Sequence, residues 1–388
     1  MTGPVPDALR AARAAWSRLV EPGDTVAGAL VAALGPEDAL EWLRQSGPTP
    51  RLPAAEGRAG VALTAAADRW RTRLTALDVG RDLAMLDRLG GRLLVPEDAG
   101  WPEPLADLGA AAPLCLWVRG AIDDVTLLAS LRRSVAVVGA RACTAYGEHV
   151  TADLAAGLAS DGWCVVSGGA YGIDAVAHRA ALAVRGPTVA FLAGGVDRLY
   201  PAGNTELLRA VADGGALISE VPPGSVPAKV RFLQRNRLIA AVARATVVVE
   251  AAWRSGALST ARHAAGLLRP VGAVPGPVTS ASSAGCHRLL REGAAVCVTD
   301  VAEVLELVGP VPAPEPGGQR RVDDDLGPVA RRTLDALPLR RAAPEESVAR
   351  TAGLSEREVR AALGRLELAG LACRDGAAWR RAKPPRSG

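Results

Sequence analysis

Residues 134–309 alternate short apolar runs with longer amphipathic segments. The apolar runs include Ser134-Val-Ala-Val-Val, Trp163-Cys-Val-Val, Thr188-Val-Ala-Phe-Leu and Thr246-Val-Val-Val, and each leads into a loop that contains glycine. Helical periodicity marks the segments at 150–160, 175–184, 205–212, 234–243, 259–268 and 301–308. This alternation predicts βαβ units with right-handed crossovers, and therefore an α/β fold with a parallel sheet.

The segments on either side have other patterns and predict further domains. Residues 1–80 are rich in Ala, Arg and Leu with helical periodicity, which predicts a small helical domain ahead of the α/β domain at 81–310. Residues 311–325 have the composition of a Pro/Gly-rich linker. Residues 326–388 predict a helix–turn–helix followed by a short hairpin, which together indicate a winged-helix domain.

Composition restricts the class of protein. With 388 residues, 49% of them hydrophobic and 22% charged, the chain has enough apolar material for two or three globular domains. No apolar run reaches the roughly 18 residues of a membrane span, and no basic region followed by an apolar segment indicates a signal peptide, so we expect a cytoplasmic protein. The six cysteines lack C-x-x-C or zinc-type spacing, which favours reduced thiols and neither a metal nor a cofactor.

The positive charge is weak evidence for a polyanionic partner. The formal net charge is +4, but Lys229 and Lys383 are the only lysines among the 45 cationic residues. With abundant Ala and Gly, such a bias towards arginine is typical of a GC-rich genome rather than of a selected basic surface. An internal lysine such as Lys229 is therefore better evidence for a functional cation than any single arginine.

Glycine-containing loops recur at the carboxyl ends of the predicted strands. In a parallel sheet these ends open on one edge, where backbone N–H groups and helix N-termini surround an anion. We therefore predict a phosphate-binding crevice with the Arg141 guanidinium as a further phosphate contact; an Arg141 ion pair within the protein is the structural alternative. The loop residues assigned to the crevice are Gly139 and Arg141, Ser167, Gly168 and Gly169, and Ser255 and Gly256.

Besides these loops, the segment that begins at Lys229 is a candidate binding element. The segment is predicted to be extended, with Lys229 and Phe232 on opposite sides. Cations that follow a phosphate backbone beside a ring that stacks on a base suit a single-stranded nucleic acid, whereas a Phe232 that faces the core is the alternative. Arg235, Asn236 and Arg237 are predicted to open the next helix, where a cation is unfavourable unless an anion is bound.

The ionisable residues near these loops do not form a catalytic set. Glu250, at a strand end, is predicted to orient Arg235 or Arg237, with a general base as the alternative role. Asp174 and His178 fall four residues apart on one predicted helix face, where a structural contact is favoured over a catalytic pair because no nucleophile is placed for them. Neither a dinucleotide fingerprint nor a P-loop is present. We assign no catalytic residue and predict a binding protein rather than an enzyme.

Ordered motifs over residues 134–307 carry a resemblance to a known family. They are Gly139-Ala-Arg141, Ser167-Gly-Gly-Ala-Tyr-Gly-Ile-Asp-Ala-Val-Ala-His178, Tyr200-Pro, Ser219-Glu-Val-Pro, Phe232-Leu-Gln-Arg-Asn-Arg237, Ser255-Gly256 and Pro275-Gly276. The chain resembles the DNA-processing protein A (DprA, or Smf) family. Ala140, where the family usually has Ser, and Leu233, where Pro often follows the Phe, depart from the family pattern.

The resemblance implies an extended Rossmann domain at residues 81–310 with a SAM-like helical domain at 1–80 ahead of it. It also implies a function and roles for individual residues. It implies a protein without established catalysis that protects incoming single-stranded DNA, forms homodimers and loads RecA onto the strand in natural transformation and recombination. It assigns Arg141 to a phosphate, Lys229 to the DNA backbone and Phe232 to a base. Val301 and Leu305 belong to a terminal segment more apolar than an exposed helix needs, which independently favours a self-complementary dimer face.

The alternative from another functional class is a nucleotide-processing Rossmann enzyme of the phosphoribohydrolase type. Such enzymes resemble one another in a Pro-Gly-Gly-x-Gly-Thr loop with a following Glu. Here Pro275-Gly276-Pro277 departs from that loop, and Glu250 precedes it instead of following it. Release of free base from nucleoside monophosphates would distinguish this enzyme from a single-stranded DNA-binding protein.

Overall fold

A computed structural model describes residues 5–45, 50, 58–309, 328–338 and 342–382, without the side chains of residues 58–61 and 328. The chain divides into two compact units, Met1–Val311 and Pro312–Gly388. The predicted linker at 311–325 lies outside the described residues, as does Lys383.

The larger unit is built on one mixed sheet of nine strands. The strands are β1 (Gly91–Leu94), β2 (Leu116–Gly120), β3 (Ser134–Val138), β4 (Cys164–Ser167), β5 (Thr188–Leu192), β6 (Ala216–Ser219), β7 (Ala245–Val248), β8 (Val271–Ala273) and β9 (Val296–Cys297). Their order is β1-β2-β6-β5-β4-β3-β7-β8-β9. From β6 to β9 all neighbours are parallel, whereas β2 pairs antiparallel with both β1 and β6. The predicted α/β fold with a mostly parallel sheet is confirmed.

Thirteen α-helices of this unit are described. They are α1 (Asp7–Leu19), α2 (Thr25–Leu34), α3 (Pro36–Gln45), α4 (Arg58–Leu74), α5 (Val79–Arg88), α6 (Asp124–Arg132), α7 (Ala145–Ser160), α8 (Ile173–Ala183), α9 (Thr205–Gly214), α10 (Lys229–Val242), α11 (Ala257–Gly266), α12 (Ala284–Arg291) and α13 (Val301–Val308). Side-chain caps at Asp24, Asp123, Thr144 and Asp300 satisfy N–H groups of the first turns of their helices. None of the described helices combines the length and apolarity needed to cross a membrane.

Both faces of the parallel strands are buried, which explains why the strand sequences are almost continuously apolar. Val135 and Val137 of β3 pack in one core cluster with residues of α7 and α8. Ala136 and Val138, which point the other way, pack in a second cluster with residues of α10 and α11. The carboxyl ends of the strands are thereby held rigidly between two helical layers.

The N-terminal helices have a core of their own and also contact the sheet. Trp16 of α1 and Trp70 of α4 meet edge to face, with ring centroids 5.4 Å apart, inside a cluster formed by α1–α4. On the sheet side, the indole Nε1 of Trp117 in β2 donates to Ser17 Oγ at 3.1 Å. The Arg231 guanidinium of α10 pairs with Glu21 at 2.9 Å, so these helices also buttress the start of α10.

The prediction of an extended segment from Lys229 is wrong, because helix α10 begins there. The segment that begins at Lys229 is helical, not extended, and the N–H of Phe232 donates to the carbonyl of Ala228 at 3.2 Å to close the first turn. The residues from Arg231 onwards include Leu, Gln and Arg, which favour helix, and burial of the residues from Arg235 to Val242 stabilises it further. Arg235 and Arg237 therefore lie inside a helix rather than at its opening.

The smaller unit contains three helices and a three-stranded antiparallel sheet. Its elements are α14 (Pro328–Asp335), α15 (Glu345–Ala352), α16 (Glu356–Leu368), β10 (Ala343–Pro344), β11 (Ala372–Asp375) and β12 (Ala378–Arg381), with β12 at the centre of the sheet. A capping box between Ser355 and Glu358 begins α16. The helices and the hairpin predicted here are present, and the winged-helix assignment stays a prediction.

Candidate functional site

The main crevice lies where the strand order changes direction. β3 and β7 are neighbours, but the chain continues from β3 to β4 on one side and from β7 to β8 on the other. The loops after these two strands therefore diverge, which is the position where ligands bind in open α/β sheets. A cavity of about 630 Å³ opens there. Of the predicted site residues, those that line it are Gly139, Arg141, Phe232, Arg235, Asn236, Ser255 and Gly256.

The loop after β3 is held close to the sheet by glycine and presents Arg141. A Cβ at Gly139 would lie 2.5 Å from Ile173 Cγ1 and 2.9 Å from the carbonyl oxygen of Glu250, so a larger residue does not fit. Arg141 is exposed and makes no ion pair with any described residue, unlike the structural alternative considered for it. Its Cζ lies 5.0 Å from the centroid of the Phe232 ring.

Glu250 has a different partner from the one predicted. It is buried at the end of β7 and accepts from both the N–H and the hydroxyl of Thr144, at 2.9 Å and 2.6 Å. Gly147 allows this approach, because a Cβ there would overlap the Glu250 carboxylate. Glu250 therefore orients the loop after β3 rather than Arg235 or Arg237. The prediction failed because spacing along the chain does not show that β3 and β7 are neighbours.

The loop after β4 faces inwards. Ser167 is buried, with its hydroxyl donating to the carbonyl of Val137 at 2.7 Å. A Cβ at Gly168 would overlap the Arg235 guanidinium, and Gly169 has a φ of +66°, a conformation that favours glycine. Ser167, Gly168 and Gly169 are outside the lining of the crevice. They pack the floor beneath it and position Arg235.

Arg235 is a buried cation below the crevice. Its Nη1 donates to the carbonyls of Gly168 and Phe191, at 2.7 Å and 2.6 Å. Burial lowers the pKa of Arg235 to about 10, against the opposing attraction of Asp174, so the guanidinium remains charged at neutral pH. Burial also raises the pKa of the Asp174 carboxyl, although Arg235 and two backbone N–H groups favour its charged form.

Asp174 and His178 do not form the predicted structural contact with each other. Asp174 accepts from the N–H groups of Gly168 and Ala170, at 3.2 Å and 3.4 Å. The Nδ1 of His178 contacts the hydroxyl of Thr188 at 2.8 Å. Burial, with a smaller effect of the Arg235 charge, lowers the pKa of His178 to about 3. His178 is therefore a neutral residue inside the fold, although it lies on the same helix as Asp174.

Arg237 and Asn236 have structural partners. The two Nη atoms of Arg237 donate to the Glu220 carboxylate at 2.7 Å and 2.6 Å, and its Nε donates to the carbonyl of Ala111 at 3.0 Å. Arg237 is buried away from the crevice, which corrects its prediction as an anion contact at a helix opening. Asn236 lines the crevice and donates to the carbonyl of Gly256 at 3.2 Å, which ties α10 to the loop after β7.

Phe232 lies between cations at the rim of the crevice. Its ring is partly buried, with the Cζ atoms of Arg141 and Arg235 at 5.0 Å and 6.0 Å from the ring centroid. The Tyr200 ring lies on another side, with centroids 5.8 Å apart. Lys229 is exposed one helical turn before Phe232 but is not part of the cavity lining. The ring thus belongs to the site wall rather than to the hydrophobic core.

Two residues of this site were not assigned to it from the sequence. Arg254 is exposed and lines the crevice, and its position directly before Ser255-Gly256 at a strand end was the available signal. Tyr200 reaches Phe232 from a loop that precedes α9, and no local pattern indicates that contact. Among the described residues no cluster of His, Cys, Asp or Glu is arranged to hold a metal ion.

The crevice offers the groups that recognise a phosphate chain with bases. Arg141, Arg235 and Arg254 line it, and Asp174 is its one acidic residue among those described. Because two N–H groups and Arg235 already surround Asp174, the cations dominate the electrostatic potential at the opening. An aromatic ring among them provides a surface for stacking.

Comparisons with known proteins agree with this geometry. Residues 92–309 match the family described as DNA recombination-mediator protein A. The chain is 47% identical over 387 residues to a Mycobacterium tuberculosis protein named as a DNA processing protein DprA, and the match covers 94% of this chain and 93% of that protein. The resemblance carried by the motifs is thereby confirmed.

Solved structures give the same relationship. DNA processing protein A from Streptococcus pneumoniae matches with a TM-score of 0.59 at 28% identity, over 78% of this chain and 98% of that one. The Helicobacter pylori DNA processing protein A, whose structure concerns a single-stranded DNA binding mode, matches with a TM-score of 0.50 at 30% identity, over 55% of this chain and 94% of that one. The chain belongs to the DNA recombination-mediator protein A family.

Proposed function

We propose that this protein binds single-stranded DNA in the crevice at the carboxyl ends of β3 and β7. The observation that carries the proposal is the Phe232 ring at the rim, with Arg141 5.0 Å from its centroid. Cations that neutralise phosphates beside a ring that stacks on a base are the common arrangement for single-strand binding. The Helicobacter pylori relative, whose structure concerns a single-stranded DNA binding mode, supports the same ligand.

The residues take different roles in this proposal. Arg141 and Lys229 are exposed and contact phosphates, while Phe232 stacks on a base. Gly139, Asn236, Ser255 and Gly256 shape the wall. Gly256 keeps its backbone accessible, because a Cβ there would have nothing within 4 Å. Arg235 contributes its charge from below because its Nη1 is already bonded to two carbonyls.

We further propose the role that the sequence resemblance implies. The protein protects incoming DNA, loads RecA onto it during transformation and recombination, and works in the cytoplasm without catalysing a reaction. The smaller unit, proposed to be a winged helix, has an accessory role, because α16 carries Glu356, Glu358 and Glu367 on the helix that such domains place in a duplex.

The homodimer is proposed to form at the end of the sheet. Val301 and Leu305 of α13 are only partly buried against their own core. The adjacent strand β9 is an edge of the sheet, and Val296 in it is 58% exposed. An exposed apolar edge next to a partly exposed helix face is suited to pairing with a second copy.

The direct test is fluorescence anisotropy with labelled single-stranded and double-stranded oligonucleotides of matched sequence. We expect preference for the single strand, little dependence on sequence, and an affinity that falls with salt because phosphate contacts release counterions. Equal affinity for both forms, or no binding, would contradict the proposal. Release of free base from nucleoside monophosphates by the same preparation would instead support the phosphoribohydrolase alternative.

A further inference from the structure

A second cavity adjoins the crevice beside the loop after β7. Its volume is about 400 Å³, and it shares Arg254 and Ser255 with the crevice. Trp253 lines it and is 53% exposed. A large aromatic side chain stabilises a fold when it is buried. One that stays exposed to solvent beside a crevice therefore indicates a surface that binds another molecule.

The surroundings of Trp253 are cationic. The Cζ of Arg288 lies 5.1 Å from the centroid of the indole ring, and Arg254 and Arg262 also line the cavity. Glu292 is the one acidic residue of the described lining, and it accepts from Arg288 Nε at 2.8 Å. After that pairing, two arginines remain to interact with an anion. The cavity therefore combines an open aromatic ring with excess positive charge, as the crevice does at Phe232.

We propose that this cavity is a second base-stacking subsite for the same DNA strand. Trp253 stacks on a base, with Arg288 against the ring, while Arg254 and Arg262 contact the flanking phosphates. The inference rests on the single-strand binding proposed above and adds the path of the strand over the surface. The strand extends from Phe232 past Arg254 and Ser255 to Trp253.

The continuity of the two cavities favours a nucleic acid strand over a protein partner. Arg254 and Ser255 belong to both linings, so a ligand in one cavity reaches the other without leaving the cationic surface. A strand that occupies both subsites gains affinity because its second contact is intramolecular. Short oligonucleotides that fill only the Phe232 crevice do not gain this affinity, so the affinity should rise with length once the strand reaches Trp253.

The experiment is an anisotropy titration of full-length protein with a length series of labelled oligothymidylates. Wild type is compared with Trp253→Ala, Trp253→Phe and Phe232→Ala. We expect Trp253→Ala to weaken binding of long oligonucleotides by roughly 5- to 150-fold, the range for loss of one stacked base, and to leave the shortest bound oligonucleotide unaffected. Trp253→Phe keeps a stacking ring and should retain most of the affinity.

A second readout does not depend on an alanine variant. DNA should quench part of the tryptophan fluorescence of wild type, and Trp253→Phe should remove that part while it still binds the strand. Quenching that persists in Trp253→Phe would overturn the proposal. An oligothymidylate with abasic positions should bind wild type more weakly than the intact strand, since an abasic sugar cannot stack.

The outcomes separate this inference from the proposed function. Suppose that wild type binds single strands, that Phe232→Ala weakens this binding at every oligonucleotide length, and that Trp253→Ala weakens it at none. In that case only the second subsite is wrong. If wild type binds no single strand, both proposals fail. If Trp253→Ala alters sedimentation and leaves DNA affinity at every length unchanged, Trp253 is a protein contact and the inference is overturned.

Discussion

Glu250 at the end of β7 holds Thr144 in the loop after β3, accepting its N–H at 2.9 Å and its hydroxyl at 2.6 Å. The same hydroxyl accepts the N–H of Gly147 at 3.2 Å and so caps α7. One buried carboxylate thus links the two loops that form the crevice and sets the start of the helix behind Arg141. The position of the Arg141 guanidinium therefore depends on a contact between the loops after β3 and β7, where the strand order changes direction.

Removal of the Thr144 hydroxyl should destabilise the fold. Thr144→Val leaves the buried Glu250 carboxylate without one donor, and we expect a loss of about 1–3 kcal/mol in the free energy of unfolding. Thr144→Ser keeps the hydroxyl and serves as the matched control. Urea denaturation of the two variants measures the effect, and equal midpoints for Thr144→Val and Thr144→Ser would contradict the assigned role.

Removal of a phosphate contact should reduce the salt dependence of binding. Arg141→Ala and Lys229→Ala should each weaken single-strand binding and lower the slope of log affinity against log salt by about 0.7. Arg132→Ala is the matched control, since Arg132 ends α6 just before β3 and so lies at the opposite edge of the sheet from the crevice. Slopes that stay at the wild-type value in both crevice variants would place the DNA elsewhere.

The two phenylalanines of the chain should respond in opposite ways to truncation. Phe232→Ala should weaken binding by about 1–3 kcal/mol with the salt slope unchanged, because a stacked base is lost and no charge is removed. Phe191 is fully buried in the core, so Phe191→Ala should instead destabilise the fold by about 3–5 kcal/mol. A thermal scan beside a binding titration checks both. A Phe232→Ala variant that loses stability but binds normally would assign that ring to packing.

Stability should decrease in acid because of His178. The unfolded chain binds a proton on this imidazole below its ordinary pKa of 6.5, whereas burial lowers the pKa to about 3 in the folded protein. The free energy of unfolding is therefore expected to fall as pH drops from 6.5 towards 3, by at most about 1.4 kcal/mol per pH unit. Burial raises the pKa of the Asp174 carboxyl, so the folded protein holds this proton more readily than the unfolded chain, and that effect opposes the trend from His178.

Comparison with a variant isolates the contribution of His178. The Asp174 carboxyl still titrates in His178→Gln, so the difference between the wild-type and variant pH profiles reports the imidazole alone. Urea titrations at a series of pH values measure both profiles. We expect the wild type to lose stability faster below pH 6.5; parallel profiles would show that the imidazole is protonated in the folded state.

Assembly should depend on the exposed edge of the sheet. Val296 in β9 is 58% exposed, and Val296→Lys should give a folded monomer because a charge on an edge strand blocks pairing. Leu305→Arg tests the adjacent helix, with a thermal scan as control because Leu305 also packs on its own core. Sedimentation velocity reports the oligomeric state. A wild type that sediments as a monomer at micromolar concentration would exclude this dimer.

Local patterns determined most of the secondary structure and the identity of the loops. Apolar strands that alternate with amphipathic helices predicted the parallel sheet, and glycines at strand ends predicted where the crevice opens. Gly139 illustrates why this works: its closeness to Ile173 and Glu250 excludes a side chain, so the requirement is visible in the sequence as a glycine. The first turn of α10 is the exception, because alternation of charged and apolar residues over only four positions, Lys229 to Phe232, does not distinguish a strand from a helix.

Tertiary structure alone decided which side chains line the crevice and which support the fold. Arg235 and Arg237 are two residues apart and chemically identical, yet one lies under the crevice and the other is bonded to Glu220 away from it. Glu250 accepts a hydrogen bond from Thr144, which is 106 positions away in the sequence. Trp253 contacts the Arg288 guanidinium, which is also distant from it in the sequence. Such partners depend on strand order and on how the helices pack, and these are non-local properties that no spacing along the chain encodes.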